Sequence, residues 1–205
     1  KYFLKSAENK LPHAQYNLGV IYYYDQKNYT KALEYFKITA NLNIPESQFI
    51  LGLTYYEGLI VPKDINKAHL YLTLSARNGY CYSKFLLGFM YLEGKEIPRN
   101  INEAIKLYID ASNLDEFCAS VNLGVIYRFF YNGKEKIANS NSLFLKAYKK
   151  GKSVLSMFDL AHLYFYEDGF LNLDQSISLL IESINCNFDR SKKILCLVLL
   201  KKFKF

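Results

Sequence analysis

The residues of this chain best suited to metal or nucleophilic chemistry are three histidines and four cysteines, and their spacing argues against both uses. His13, His69 and His162 stand far apart, and His69 has a carboxylate, Asp64, close by in sequence. A helical metal site needs a second ligand about one turn away, so the three read as structural histidines. Cys81, Cys118, Cys186 and Cys196 form no Cys-x-x-Cys and no Cys/His cluster. They read as unpaired thiols, and the expected location is a reducing compartment such as the cytoplasm. Glu57, Glu93 and Glu167 close successive segments and could line up as an acidic row, though solvated helix-end charge is the simpler reading. There is no Gly-rich phosphate loop, no G-x-S-x-G and no H-E-x-x-H. The expectation is therefore no catalytic residue, no cofactor and no metal.

What the chain does carry is a period. Gly52, Gly88 and Gly124 lie 36 residues apart, with Gly19 at 33 before the first and Ala161 at 37 after the last. A tyrosine follows each by three residues: Tyr22, Tyr55, Tyr91, Tyr127 and Tyr164. A small residue opens a second segment at Ala32, Ala68, Ala104, Ser140 and Ser176, and another recurs at Thr39, Ser75, Ala111, Ala147 and Ser183. Asn43, Gly79, Asp115, Gly151 and Asn187 end the copies, and these residue types tolerate the left-handed conformation that closes a helix. Each copy predicts two antiparallel helices whose backbones approach where the small residues meet, as Gly88 and Ala104 do in the 83–112 stretch. Copies fall at about 11–43, 44–79, 80–115, 116–151 and 152–187, with partial copies at 1–10 and 188–205, all in one array over 1–205. Pro12 suits a first helical turn. Asn28, Asp64, Asn100 and Asp174 suit the caps of second helices.

The run Leu51-Gly52-Leu53-Thr54-Tyr55-Tyr56-Glu57-Gly58, continued by Pro62, Asp64 and Lys67-Ala68, resembles the Sel-one-like repeat, a relative of the tetratricopeptide repeat. The resemblance covers essentially the whole chain. It implies an all-α, right-handed α-solenoid of antiparallel helix pairs, about five 36-residue repeats, that scaffolds protein complexes. The first copy has a shorter loop, the fourth lacks the proline and the fifth has Ala161 for glycine, so those copies should pack with altered curvature. A secreted branch of the family staples each pair with two cysteines, a pattern absent here.

Composition and charge narrow the partner. Hydrophobic residues make up 51% of 205, with 19 Tyr, 15 Phe and no Trp. Residues 190–205 hold six bases and no acid, which accounts for most of the net charge of +7 and leaves the body near neutral. A nucleic-acid binder spreads a basic stripe along its body, so no nucleic-acid partner is expected. The longest apolar run, 194–200, is far short of a membrane span. The pattern starts and stops in mid-repeat, so both ends are expected to be cut from a longer protein, with a monomeric array between them.

In tetratricopeptide-type pairs the first helix faces the inner curve. The position four after the small residue then gives a candidate partner-binding groove: Tyr23, Tyr56, Leu92, Arg128 and Phe165. The position three before it (Tyr16, Phe49, Phe85, Val121, Phe158) is expected in the core. Arg128, alone in an apolar row, implies a partner carboxylate or carbonyl opposite it. The function expected is a non-catalytic scaffold or adaptor that holds a protein or peptide in a concave groove. The alternative is a regulatory module of a larger enzyme, such as a kinase or a membrane synthase activator. A small-molecule hydrolase like the cysteine-rich members is disfavoured by the missing cysteine pairs.

Overall fold

The computed structural model describes residues 11–114, 117–130, 134–151, 153–166 and 171–203; Asp115, Gly133 and the expected turn at 167–169 lie outside them. The described residues form eleven α-helices: α1 Pro12–Tyr24, α2 Tyr29–Asn41, α3 Pro45–Glu57, α4 Ile65–Arg77, α5 Cys81–Glu93, α6 Ile101–Asn113, α7 Phe117–Phe130, α8 Lys134–Gly151, α9 Val154–Tyr166, α10 Leu173–Asn185 and α11 Arg190–Phe203. They group into two compact units, Lys1–Ala111 and Ser112–Phe205.

Helix ends follow from local chemistry. Pro12 and Pro45 occupy the first turns of α1 and α3, where a missing N–H costs nothing. Asn28, Asp64 and Asn100 accept from the amides of Lys31, Lys67 and Glu103 at 3.2, 3.0 and 3.1 Å. In the last full pair the cap is Asn172, which accepts from Gln175 N at 3.0 Å, while Asp174 lies inside the first turn. The cap residues also lock the connecting loops. The amides of Asn28, Asp64, Asn100 and Asn172 donate to the carbonyls of Tyr22, Tyr55, Tyr91 and Tyr164, which explains a shared loop geometry at each periodic tyrosine. Asn43, Gly79 and Asn187 take positive φ of 61°, 88° and 62°. Around them Ile44 N reaches Thr39 O, Tyr80 N reaches Ser75 O and Phe188 N reaches Ser183 O, the six-to-one bond of a Schellman close. α8 runs through to Gly151.

The pairing of helices adds a large side chain to the small-against-small contact expected at Gly88 and Ala104. A Cβ on Gly88 would meet the Tyr108 ring at 2.8 Å, one turn beyond Ala104. Gly19 faces Phe36, Gly52 faces Leu72 and Gly124 faces Phe144 at 2.7–2.8 Å in the same way. These partners recur every 36 residues and are essentially fully buried. The glycine is thus a socket for a large side chain of the second helix. Ala32, Ala68 and Ala104 are fully buried beside it. Where serine replaces that alanine it adds a bond: Ser140 Oγ donates to Gly124 O at 2.9 Å, and Ser176 Oγ to Ala161 O at 2.8 Å.

Successive pairs meet through buried hydroxyls. Thr39 and Ser47 bond at 2.6 Å, Ser83 donates to Ser75 at 2.7 Å, Ser112 and Ser120 bond at 2.7 Å, and Ser183 donates to Ser191 at 2.6 Å. Each bond is worth about 1 kcal/mol, and losing one partner strands a buried donor or acceptor at a cost of about 1–3 kcal/mol.

Candidate binding surfaces

Each unit presents part of the expected row. In the first unit Tyr23, Tyr56 and Leu92 are half-buried near the ends of α1, α3 and α5. Tyr23 packs edge-on to Tyr24 and Tyr29, at 4.9 and 5.2 Å between ring centroids, and leans on Phe36. Tyr24 is 69% exposed, so the cluster has an open outer edge. Burial, then Tyr24 and Glu57, hold the Tyr23 hydroxyl above its usual range, and burial followed by Glu93 does the same for Tyr56. Each tyrosine therefore stands near the glutamate that ends the next first helix, Glu57 or Glu93. Glu93 is paired with Lys95, and Glu96 with Lys63, whose ammonium lies 5.6 Å from the Tyr56 ring centre. Phe89, just after the socket glycine of α5, is exposed as well. The three-before positions Tyr16, Phe49 and Phe85 are half-buried; Phe49 packs with Tyr80 and Tyr82.

In the second unit the same row is used internally. Arg128 donates to His162 Nδ1, which places the imidazole proton on Nε2. Burial and then Arg128 push the His162 pKa down to about 4, while burial pushes Asp159 up to about 6 against the pull of Arg128. Asp159 of the same chain thus places negative charge near Arg128. Phe165 is 7% exposed, lies in the core with Leu179, Leu180 and Val198, and carries the Lys201 ammonium 5.1 Å above its ring. Arg128 and Phe165 are therefore engaged by the fold itself.

The remaining candidates of the sequence have structural partners. His69 Nε2 bonds the Tyr91 hydroxyl at 2.9 Å, not Asp64, which is held by Lys67. None of the four cysteines forms a disulfide. Among the described residues no three His, Cys, Asp or Glu side chains converge, and no helix is long and apolar enough to cross a membrane. One feature escaped the sequence reading: a cleft of about 490 Å³ among α4, α5 and α6, walled by charged side chains. Its signal was the i, i+4, i+8 spacing of His69, Thr73 and Arg77 on one helix face.

Comparison with known proteins fits this geometry. The Sel1 repeat model matches residues 12–44, 45–80, 81–116 and 154–184. No curated protein matches the chain significantly. Among solved structures, a protective antigen of uropathogenic Escherichia coli with an SLR fold superposes with a TM-score of 0.85 at 22% identity, over 98% of this chain and 44% of that one. The chain thus spans less than half the length of that antigen. A Sel1 repeat protein from Oxalobacter formigenes gives 0.82 at 21% identity, over 95% and 80% of the two chains. A TPR protein from Thermus thermophilus gives 0.52 at 19% identity, over 93% and 100%. At these identities the likeness is one of fold, the helix-pair α-solenoid.

Proposed function

The chain belongs to the Sel1 repeat family, and from that premise we propose that it is a non-catalytic scaffold that binds a protein segment along the first-helix face of its first unit. Folds of this type commonly serve as protein-interaction scaffolds. The observation that carries the reading is the open tyrosine cluster at Tyr23, Tyr24 and Tyr29, continued by Tyr56, Phe89 and Leu92 on α3 and α5. Tyrosine supplies large apolar area with little side-chain entropy to lose and is enriched among interface anchors. The partner that fits is an extended segment or a helix with apolar anchors and a lysine or arginine to meet Glu57. Four cysteines without a disulfide suit a reducing compartment.

The test is affinity capture with wild type and two variants. Tyr23→Ala with Tyr56→Ala should weaken capture of a specific protein about tenfold or more, about 1.4 kcal/mol, with helical content intact by circular dichroism. Lys31→Ala with Lys67→Ala, on the exposed starts of α2 and α4, should leave capture unchanged. The opposite pattern assigns binding to the second helices and overturns the reading.

A further inference from the structure

The cleft among α4, α5 and α6 has two chemically different ends. At one end Arg77, exposed at the close of α4, has a guanidinium with no hydrogen bond or ion pair among the described residues. Beside it Lys84, its side chain 18% exposed, pairs at 3.1 Å with Asp110, which is 57% exposed. At the other end stand Glu103 and the bonded pair His69–Tyr91. Among the described residues Glu103 pairs with Lys106 at 3.4 Å, with both side chains well exposed. Leu87 and Leu107 lie between the ends. From His69 to Arg77 is eight residues of helix, about 12 Å at 1.5 Å per residue.

The cleft's volume, about 490 Å³, falls within the usual range for a small-ligand site. Its charges are particular to this repeat. In the second unit the corresponding cleft, two periods on, is about 230 Å³ and has Gln175 where Glu103 stands, Leu145 for Thr73 and Tyr148 for Ala76. An apolar floor between an unpaired guanidinium and a carboxylate at the other end of the cleft suits a ligand with a carboxylate at one end, an ammonium at the other and apolar substituents between.

We propose that this cleft binds a short free peptide of about three residues, whose extended length is about 10 Å. The C-terminal carboxylate takes a forked bond from Arg77, supported by Lys84. The N-terminal ammonium donates to Glu103 and to the Tyr91 hydroxyl oxygen. The side chains rest on Leu87 and Leu107.

Calorimetric titration of the full chain with trialanine tests this. Saturable binding is expected, weakened about tenfold or more by N-acetylation and by C-amidation, as each removes one charge-assisted contact. Arg77→Ala and Glu103→Gln should each weaken trialanine to a similar extent with unchanged circular dichroism. Amidation should add little further loss in Arg77→Ala, nor acetylation in Glu103→Gln, because each pair removes the same contact. Absence of saturable heat up to millimolar peptide, or undiminished binding in Arg77→Ala, overturns the proposal. Undiminished binding of N-acetyl-trialanine overturns it too, and would mark a site for the C-terminal tail of a protein. None of these changes touches Tyr23 or Tyr56, so the outcome is independent of the protein-binding face.

Discussion

Substituting Gly88 by valine should unfold the first unit at a markedly lower temperature. An added Cβ lies 2.8, 3.0 and 3.2 Å from three carbons of the Tyr108 ring, against an ordinary contact of about 3.5–4.0 Å. Tyr108 is 0% exposed and packs against Phe85 at 5.9 Å between ring centres, so it has nowhere to withdraw. Overpacking of this kind costs about 1–3 kcal/mol. For alanine, the gain of about 1 kcal/mol in helix propensity offsets part of that. Valine keeps less of the gain and adds two methyl groups, so it should cost about 3 kcal/mol, near the upper end of that range. At about 4–8 °C per kcal/mol for a unit of roughly 100 residues, thermal melting followed by circular dichroism should show a midpoint at least about 10 °C lower. The fifth pair, with Ala161 and Leu180 both 0% exposed, indicates the remedy. Gly88→Ala should cost less in a Tyr108→Leu background than alone, a coupling that a double-mutant cycle reads directly. A Gly88→Val midpoint at or above that of wild type would refute the socket.

Three further outcomes follow from the buried polar groups and the thiols. Ser75 Oγ donates to Pro45 O at 2.7 Å and accepts from Ser83, so Ser75→Ala should cost about 1–3 kcal/mol in urea unfolding. Ser75→Ala with Ser83→Ala should cost less than Ser75→Ala alone, because the stranded donor is gone. Folded Asp159, raised from 3.8 to about 6, keeps a proton that the unfolded chain releases, which lowers stability as pH rises between those values. His162, lowered from 6.5 to about 4, has the opposite effect, which raises stability over nearly the same window. Wild type should therefore be nearly flat from these two groups. Asp159→Asn should become more stable from pH 4 to 6.5, and His162→Gln less stable from pH 3.8 to 6, by denaturant melts across pH. Thiol titration of the denatured, unreduced chain should find all of Cys81, Cys118, Cys186 and Cys196 reactive.

Much of the fold is legible because the repeat forces the same local solution several times. Asn28, Asp64 and Asn100 cap as their residue types require, and Asn43, Gly79 and Asn187 close helices with positive φ. Asn172 and Asp174 are both capable of capping and stand two residues apart, so residue type alone does not choose between them. The partner of Gly88 is hidden for a different reason. Two small residues in phase point to a close approach of the helices, but not to the large side chain one turn further along, Tyr108, that fills the space over the glycine. The binding row divides by what each side chain finds inside the chain. Tyr23 keeps an open neighbour in Tyr24, but Arg128 finds His162 and Asp159, and Phe165 is covered by Lys201. Those contacts lie 31–36 residues away in sequence and depend on how one pair stacks on the next.

The central claim is that a protein segment lies on the first-helix face of the first unit. Its most direct test is a photo-crosslinking residue placed at Tyr24, 69% exposed on α1, and in a separate protein at Leu70, 55% exposed on α4. Irradiation with cell extract, followed by mass spectrometry, should join one specific protein through position 24, and the additional changes Tyr23→Ala and Tyr56→Ala should abolish that product. Crosslinking of the same protein through position 70, with none through position 24, would contradict the account.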